Sequence, residues 1–346
     1  MKKQIFLPVL FALVASAIVT TSYGQAVQNS LPKPLTCVGT ALTPFAGRPY
    51  DYAAEFNPDG GTAFWYATKS MNIVTGSART ASVEAVAGTV VSAATNYAAA
   101  QTPTSGPSTT SITWNSAGLS TVTPAAPLLV VVEYVAPTSG CANNLKVYNI
   151  IPKNGFTVDI RSMASDGTAP VAYGTKTEQC VDDIESATYN PATTSMNMDY
   201  GDQTLYFEVI AANFTGSFTP SFQLTGLAAG QTAELFWGIT AATATTSLGA
   251  IVNTTAVDGT SVTTAATDTQ NGVSIFAKVV IQNNKVENLA VQTITLAVDA
   301  VNAQSQKDVL ESDCTENLAF ADAASQDIKA RPTVTPVAPS TFVVQN

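Results

Sequence analysis

The sequence predicts an all-β protein built as two tandem antiparallel β-sandwiches. Three observations carry that expectation. Apolar residues recur at every second position in the readable segments, turn signals separate those segments at short spacing, and the four cysteines fall two to each half of the chain.

Met1 to Gly24 reads as a signal peptide. Lys2 and Lys3 form its basic start, Ile5 to Val19 its apolar stretch, and Ser22-Tyr23-Gly24 its cleavage site before Gln25. The apolar stretch is shorter than the ~20 residues that span a bilayer, so no membrane span is expected and the mature chain is expected to be exported, at the cell surface or extracellular. Cys37 lies well past the cleavage site, which argues against a lipid anchor at the N-terminus.

Residues 25–168 are expected to form the first sandwich. Phe64-Trp65-Tyr66 marks one strand, Ile112 and Trp114 alternate in another, and Leu128 to Val132 forms a continuous apolar run suited to a strand covered on both faces. Thr80 to Gln101 is compatible with either a helix or a strand pair. Phe156 to Arg161 alternates cleanly, with Thr157, Asp159 and Arg161 assigned to the solvent face. Asp166-Gly167-Thr168 and Pro170 then interrupt the pattern and set the boundary.

Residues 169–318 are expected to form the second sandwich, through Leu205 to Ile210, Val273 to Ile281 and Thr293 to Val298. Turns at Asp258-Gly259 and Asn271-Gly272 punctuate it. Residues 319–346 are expected to be an extended tail, because Pro332, Pro336 and Pro339 favour a polyproline-like chain. Within it Thr341, Phe342, Val343 and Val344 form a short strand-forming run, a candidate assembly strand able to complete the sheet edge of a neighbour.

Composition narrows the function. The chain has no histidine, so imidazole bases, Ser-His-Asp and Cys-His arrangements and His-ligated metals are excluded, and no cofactor is expected. Without histidine, binding or assembly should change little between pH 5 and 8 unless a buried acid is strongly perturbed. A formal charge of −10 makes nucleic acid a poor partner. In an oxidising compartment the simplest pairing is within each half, Cys37 with Cys141 and Cys180 with Cys314, although four cysteines allow three connectivities.

Asp182, Asp183, Glu185, Asp199 and Asp202 could offer calcium oxygens, yet they lack any recognised loop spacing and read better as solvated turn carboxylates. Trp65 and Trp237 could form a sugar-stacking platform if exposed, but rings on a sandwich strand belong more often to the core. The sequons at Asn213 and Asn253 read as chance matches.

Pro127 to Tyr134, Ser139 to Tyr148, Ile151 to Phe156 and Tyr206 to Phe222 together resemble the immunoglobulin-like or PKD-like modules of secreted surface proteins from gliding, type IX secreting bacteria. The resemblance implies that both sandwiches are immunoglobulin-like and that the protein has a structural role in the envelope, with no catalytic residue to carry over. The expected function is therefore a non-catalytic structural or adhesive protein, a component of the surface or of an extracellular filament, whose partners are itself or other surface proteins. A carbohydrate-binding module with a glycan partner is the alternative.

Overall fold

The computed structural model describes residues 32–45, 48–75, 78–79, 90–91, 99–101, 108–114, 119, 122–123, 125–137, 143–214, 216–263 and 272–335. The signal peptide, Cys141 and the segment Thr341 to Val344 lie outside the described residues. The fold is all-β, with antiparallel sheets packed face to face.

In the first half β1 is Pro49–Ala54, β2 Thr62–Thr68, β3 Val74–Thr75, β4 Ala78–Arg79, β5 Val90–Val91, β6 Ala99–Gln101, β7 Ser108–Thr113, β8 Leu128–Val135 and β9 Asn144–Ile150. One sheet runs β1-β7-β5 and the other β6-β2-β8-β9, with β3 and β4 as a small separate pair. Alternation explains the packing. Trp65 and Val132, paired in register, face a core shared with Tyr52, Ile112 and Trp114, while Tyr66 and Val131 on the opposite face are covered by Ile73, Leu129 and Leu145. The expected both-faces burial of Leu128 to Val132 follows from these two layers.

In the second half β10 is Thr157–Ser162, β11 Thr177–Gln179, β12 Ser186–Asn190, β13 Ser195–Asp199, β14 Asp202–Ala212, β15 Ser217–Thr225, β16 Thr232–Gly238, β17 Thr246–Ala250, β18 Ala256–Asp258, β19 Val262–Thr263, β20 Val273–Gln282, β21 Gln292–Asn302 and β22 Asp322–Ile328. One sheet runs β10-β14-β20-β16-β17 and the facing sheet β11-β22-β21-β15-β18, with β19 also on β15. Strict alternation along β15 turns Phe218, Phe222 and Leu224 inward. Phe156, Phe214 and Phe218 form an edge-to-face cluster at one end, with ring centroids 5.3 to 6.4 Å apart.

Two expected boundaries move. β10 was assigned to the first sandwich, but it pairs along its whole length with β14, so that sheet begins near Phe156. Residues 322–328, expected in the tail, form β22 between β21 and β11. The solvent face assigned to Thr157, Asp159 and Arg161 is also corrected: all six residues of β10 are buried. Alternation identified the strand correctly, but it cannot distinguish a polar face in water from one covered by charged partners.

The disulfide expectation is corrected as well. Cys37 bonds to Cys314, with Cα atoms 6.0 Å apart, and Cys180 is a free, exposed thiol. The reason is the path of the N-terminal segment. Before entering β1 it lies against the second sandwich, where the Thr36 and Cys37 amides both donate to the Glu311 carbonyl at 2.9 and 3.1 Å. Its side chains therefore meet residues far along the chain. Ile151 and Lys153 then donate to the carbonyls of Leu42 and Pro44, tying the segment to the connection that leads out of β9. Arg48 donates to Asn213 Oδ1 at 2.8 Å, joining the first half to the second.

Candidate functional site

Sheet edges are surfaces by which a β-protein can join a partner, since their amides and carbonyls can accept another strand. Most edges here are blunted. β9 carries Lys146 on its core-facing side, opposite Val132. β17 is interrupted by an irregular register at Leu235/Phe236, and Gly249 takes a φ of 97°. β11, β18 and β19 are two or three residues long.

The hairpin β12–β13 differs. It is a separate two-stranded sheet, and all five residues of β12 are exposed. From Ser186 to Met198 it contains no charged residue. Asn190 Oδ1 accepts from the Ala192 amide at 3.0 Å and shapes the turn, while Thr194 adopts a φ of 50°. The base is anchored: the Tyr200 amide donates to the Asn284 carbonyl at 2.9 Å, and Arg331 Nη2 donates to the Asp182 carbonyl at 2.7 Å. Tyr189 is 49% exposed, and Ile184 just before the hairpin is 45% exposed.

A second concentration of chemistry lies over the polar face of β10. Lys33 Nζ sits 2.5 Å from Asp159 Oδ1, 3.3 Å from Asp322 Oδ1 and 4.0 Å from Glu311 Oε1. Those three carboxylates place one oxygen each within 4.8 Å of one another, a spacing that suits a cation, and the Lys33 ammonium occupies that role. Burial pushes the Asp159 carboxyl up to about 7 against the opposing pull of Lys33. Burial works against the Lys33 charge, but Asp159, Asp322 and Glu311 together hold its pKa well above the ordinary value. Beside it, Arg161 places both Nε and Nη2 2.8 Å from Glu208 Oε2, a pair almost wholly withdrawn from solvent. The Tyr173 ring lies 5.3 Å from both Lys33 Nζ and the Arg161 guanidinium and roofs the group.

The acidic character continues along the same flank. Asn317 Nδ2 donates to Asp322 Oδ2 at 2.7 Å and to Asp308 Oδ2 at 3.3 Å. Burial, then a proton shared with Asp299, pushes the Asp308 carboxyl up to about 8. Sequence reasoning assigned no role to Lys33, Asp159, Asp308, Glu311 or Asp322. The hydrogen-bonded partners Lys33 and Asp159 are 126 positions apart, so no local spacing could have signalled them.

The residues named from sequence separate as follows. Trp65 is 1% exposed and donates through its indole to Ser108 Oγ at 2.9 Å, so it cannot stack on a sugar. Trp237 is partly buried against the second core. Asp182, Asp199 and Asp202 lie near one another, and burial followed by the charges of Asp199 and Asp182 raises the Asp202 pKa. The group of three close carboxylates found among the described residues is nevertheless the one at Asp159. A groove of about 290 Å³ opens where β1 and β9 meet, lined by Phe56, Tyr134, Asn57, Asn144 and Lys146. Phe56 stacks on Tyr134 with centroids 4.4 Å apart.

No protein-family model matches the chain, and no curated protein matches it. Among solved structures, the N-terminal domain of PorA is similar over 50% of this chain and 96% of that one, at 11% identity and a TM-score of 0.25. CfaE, the adhesive subunit of CFA/I fimbria of enterotoxigenic Escherichia coli, covers 90% of this chain and 86% of its own, at 7% identity and a TM-score of 0.26. The CupB6 tip adhesin from Pseudomonas aeruginosa covers 86% and 96%, at 8% identity and a TM-score of 0.27. Likenesses at this level carry no argument about function.

Proposed function

We propose that the chain is an exported, non-catalytic structural or adhesive protein of the cell surface or of an extracellular filament, which joins copies of itself or other surface proteins through sheet edges. The observation that supports this reading most is the uncharged, fully exposed strand β12 in a hairpin outside both sandwiches. A two-stranded sheet is marginal alone, and an edge free of charge and bulges offers little resistance to a third strand. The disulfide suits an oxidising compartment. The segment Thr341 to Val344 remains the proposed donor strand, delivered by the proline-spaced residues before it.

Light scattering on the full chain tests this. Thr188→Pro breaks the strand conformation of β12, and Tyr189→Lys adds a charge. Either should reduce the associated mass, as should deletion of residues 332–346. A wild-type chain that stays monomeric at every concentration, alone and on the native cell surface, would sink the reading.

A glycan-binding reading keeps one supporting observation, the Phe56 groove with its polar rim of Asn57, Asn144 and Lys146. Titration with a panel of oligosaccharides, repeated on Phe56→Ala, tests it. Binding lost in that variant supports the reading, and absence of binding to wild type ends it.

A further inference from the structure

We propose that Lys33 and Asp159 become joined by an isopeptide bond that the folded protein forms itself. Lys33 Nζ approaches Asp159 Oδ1 to 2.5 Å, closer than the roughly 2.7 to 2.9 Å of an ordinary ammonium–carboxylate hydrogen bond. Among the described residues no other group donates to Asp159 Oδ1, so the Lys33 ammonium alone closes on it. Meanwhile the Lys33 backbone amide donates to Asp159 Oδ2 at 3.3 Å, fixing both ends of the pair. Nucleophile and carboxyl are thus held together in one orientation, the condition under which a bimolecular reaction becomes intramolecular.

The surroundings supply the remaining parts. The Asp159 side chain is fully buried, and Asp322 Oδ1, 3.3 Å from Nζ, accepts a hydrogen bond from it. One proton passes from Nζ to the Asp159 carboxyl, and the neutral amine adds to Cγ. A second proton travels by way of Asp322 to the departing hydroxyl, which leaves as water, while the third hydrogen stays on the new amide nitrogen. The Nζ–Cγ bond forms, one Cγ–O bond breaks, and no oxidant or co-reactant is required. Condensation also removes a charged carboxylate that is buried, whose desolvation is costly, and replaces it with a neutral amide. Glu311, 4.0 Å from Nζ, is the second group able to relay a proton. Tyr173 covers the pair from above.

Mass spectrometry of the full chain after export, reduction and trypsin digestion reads the bond directly. Cleavage after Lys153 and Arg161 releases peptide 154–161, which contains Asp159. The expected product is this peptide attached to the one that carries Lys33, with a combined mass lower by one water. Lys33→Arg should abolish the product, and Asp322→Asn should reduce its yield at least tenfold in protein that still forms the Cys37–Cys314 disulfide. Recovery of peptide 154–161 entirely free from folded, disulfide-bonded wild type would overturn the proposal. Undiminished cross-linking in both Asp322→Asn and Glu311→Gln would overturn the relay.

Discussion

The two sandwiches stabilise their buried polar groups by different means. In the first, aromatic residues serve as both core and hydrogen-bonding groups: Trp65 donates to Ser108, Trp114 Nε1 donates to the Tyr52 hydroxyl at 3.1 Å, and that hydroxyl donates to the Ala41 carbonyl at 2.6 Å. In the second, the core is aliphatic and phenylalanine-rich, and a buried amide network around Gln231 and Asn283 is joined by charged groups along β10. Neutral donors lose little when buried if one partner is present, whereas charges require a partner and exclusion of water together. The second half should therefore respond more strongly to the loss of a single polar group.

Breaking the Arg161–Glu208 pair gives the largest expected effect. Glu208→Gln should cost about 3 to 5 kcal/mol by leaving a buried guanidinium without its counter-charge, and replacing both residues by apolar ones of similar volume should restore most of that. Hydrogen exchange can locate the loss. Protection should fall in β10 and β14 and remain unchanged in β2 and β8; an equal fall in both halves would show that they unfold as one unit.

Cys37→Ser comes next. The bond closes a separation of 277 residues, for which chain entropy gives an upper figure of about 5.6 kcal/mol. A decrease of about 2 to 5 kcal/mol in denaturant unfolding is expected, greatest in the second half, where both cysteines sit.

Ser108→Ala sharpens the other side of the comparison. It leaves the buried Trp65 N–H without its hydroxyl acceptor and should cost about 1 to 3 kcal/mol, confined to the first half. A loss as large as that of Glu208→Gln would end the distinction between neutral and charged networks.

The remaining expected effect is a dependence on pH. A carboxyl raised in the folded state binds its proton more tightly there, so its contribution to stability is complete below about pH 4 and is lost as pH rises toward 8. Asp308, facing Asp299, Asp322 and Asn317, is the principal group. Thermal melts from pH 4 to 8 should show declining stability in the second half, and Asp308→Asn should flatten the slope. This is the exception foreseen for a chain without histidine.

These contrasts also show which parts of the architecture were legible in the residues. β20 and β21 were readable or nearly so, because one apolar face repeats over ten or more residues. β22 was not, since Asp322-Ala-Ala-Ser-Gln-Asp carries little strand signal and takes its conformation from its neighbours. The hairpin β12–β13 has the same weak texture, and β12 has no buried face that would impose a pattern. For β10 the strand was visible but its partner was not, because pairing with β14 depends on contacts that periodicity does not encode. The cysteine pairing failed for a related reason: distribution by halves assumes that each half begins and ends on itself, and residues 32–37 instead lie on the other one.

That displaced beginning determines how tension would pass through the molecule. If a pull is applied at Pro32 and Thr335, the Cys37–Cys314 bond connects the two short outer segments directly, and the residues between the cysteines lie outside the force path. The first sandwich would bear no load while the bond holds. β22, beyond Cys314, remains in line with residues 32–36, so its ladders to β21 and β11 would be loaded from the start. Reduction would bring at least the strands after β10 into line and lengthen the extension before full unfolding, a difference that single-molecule stretching with and without reductant would register.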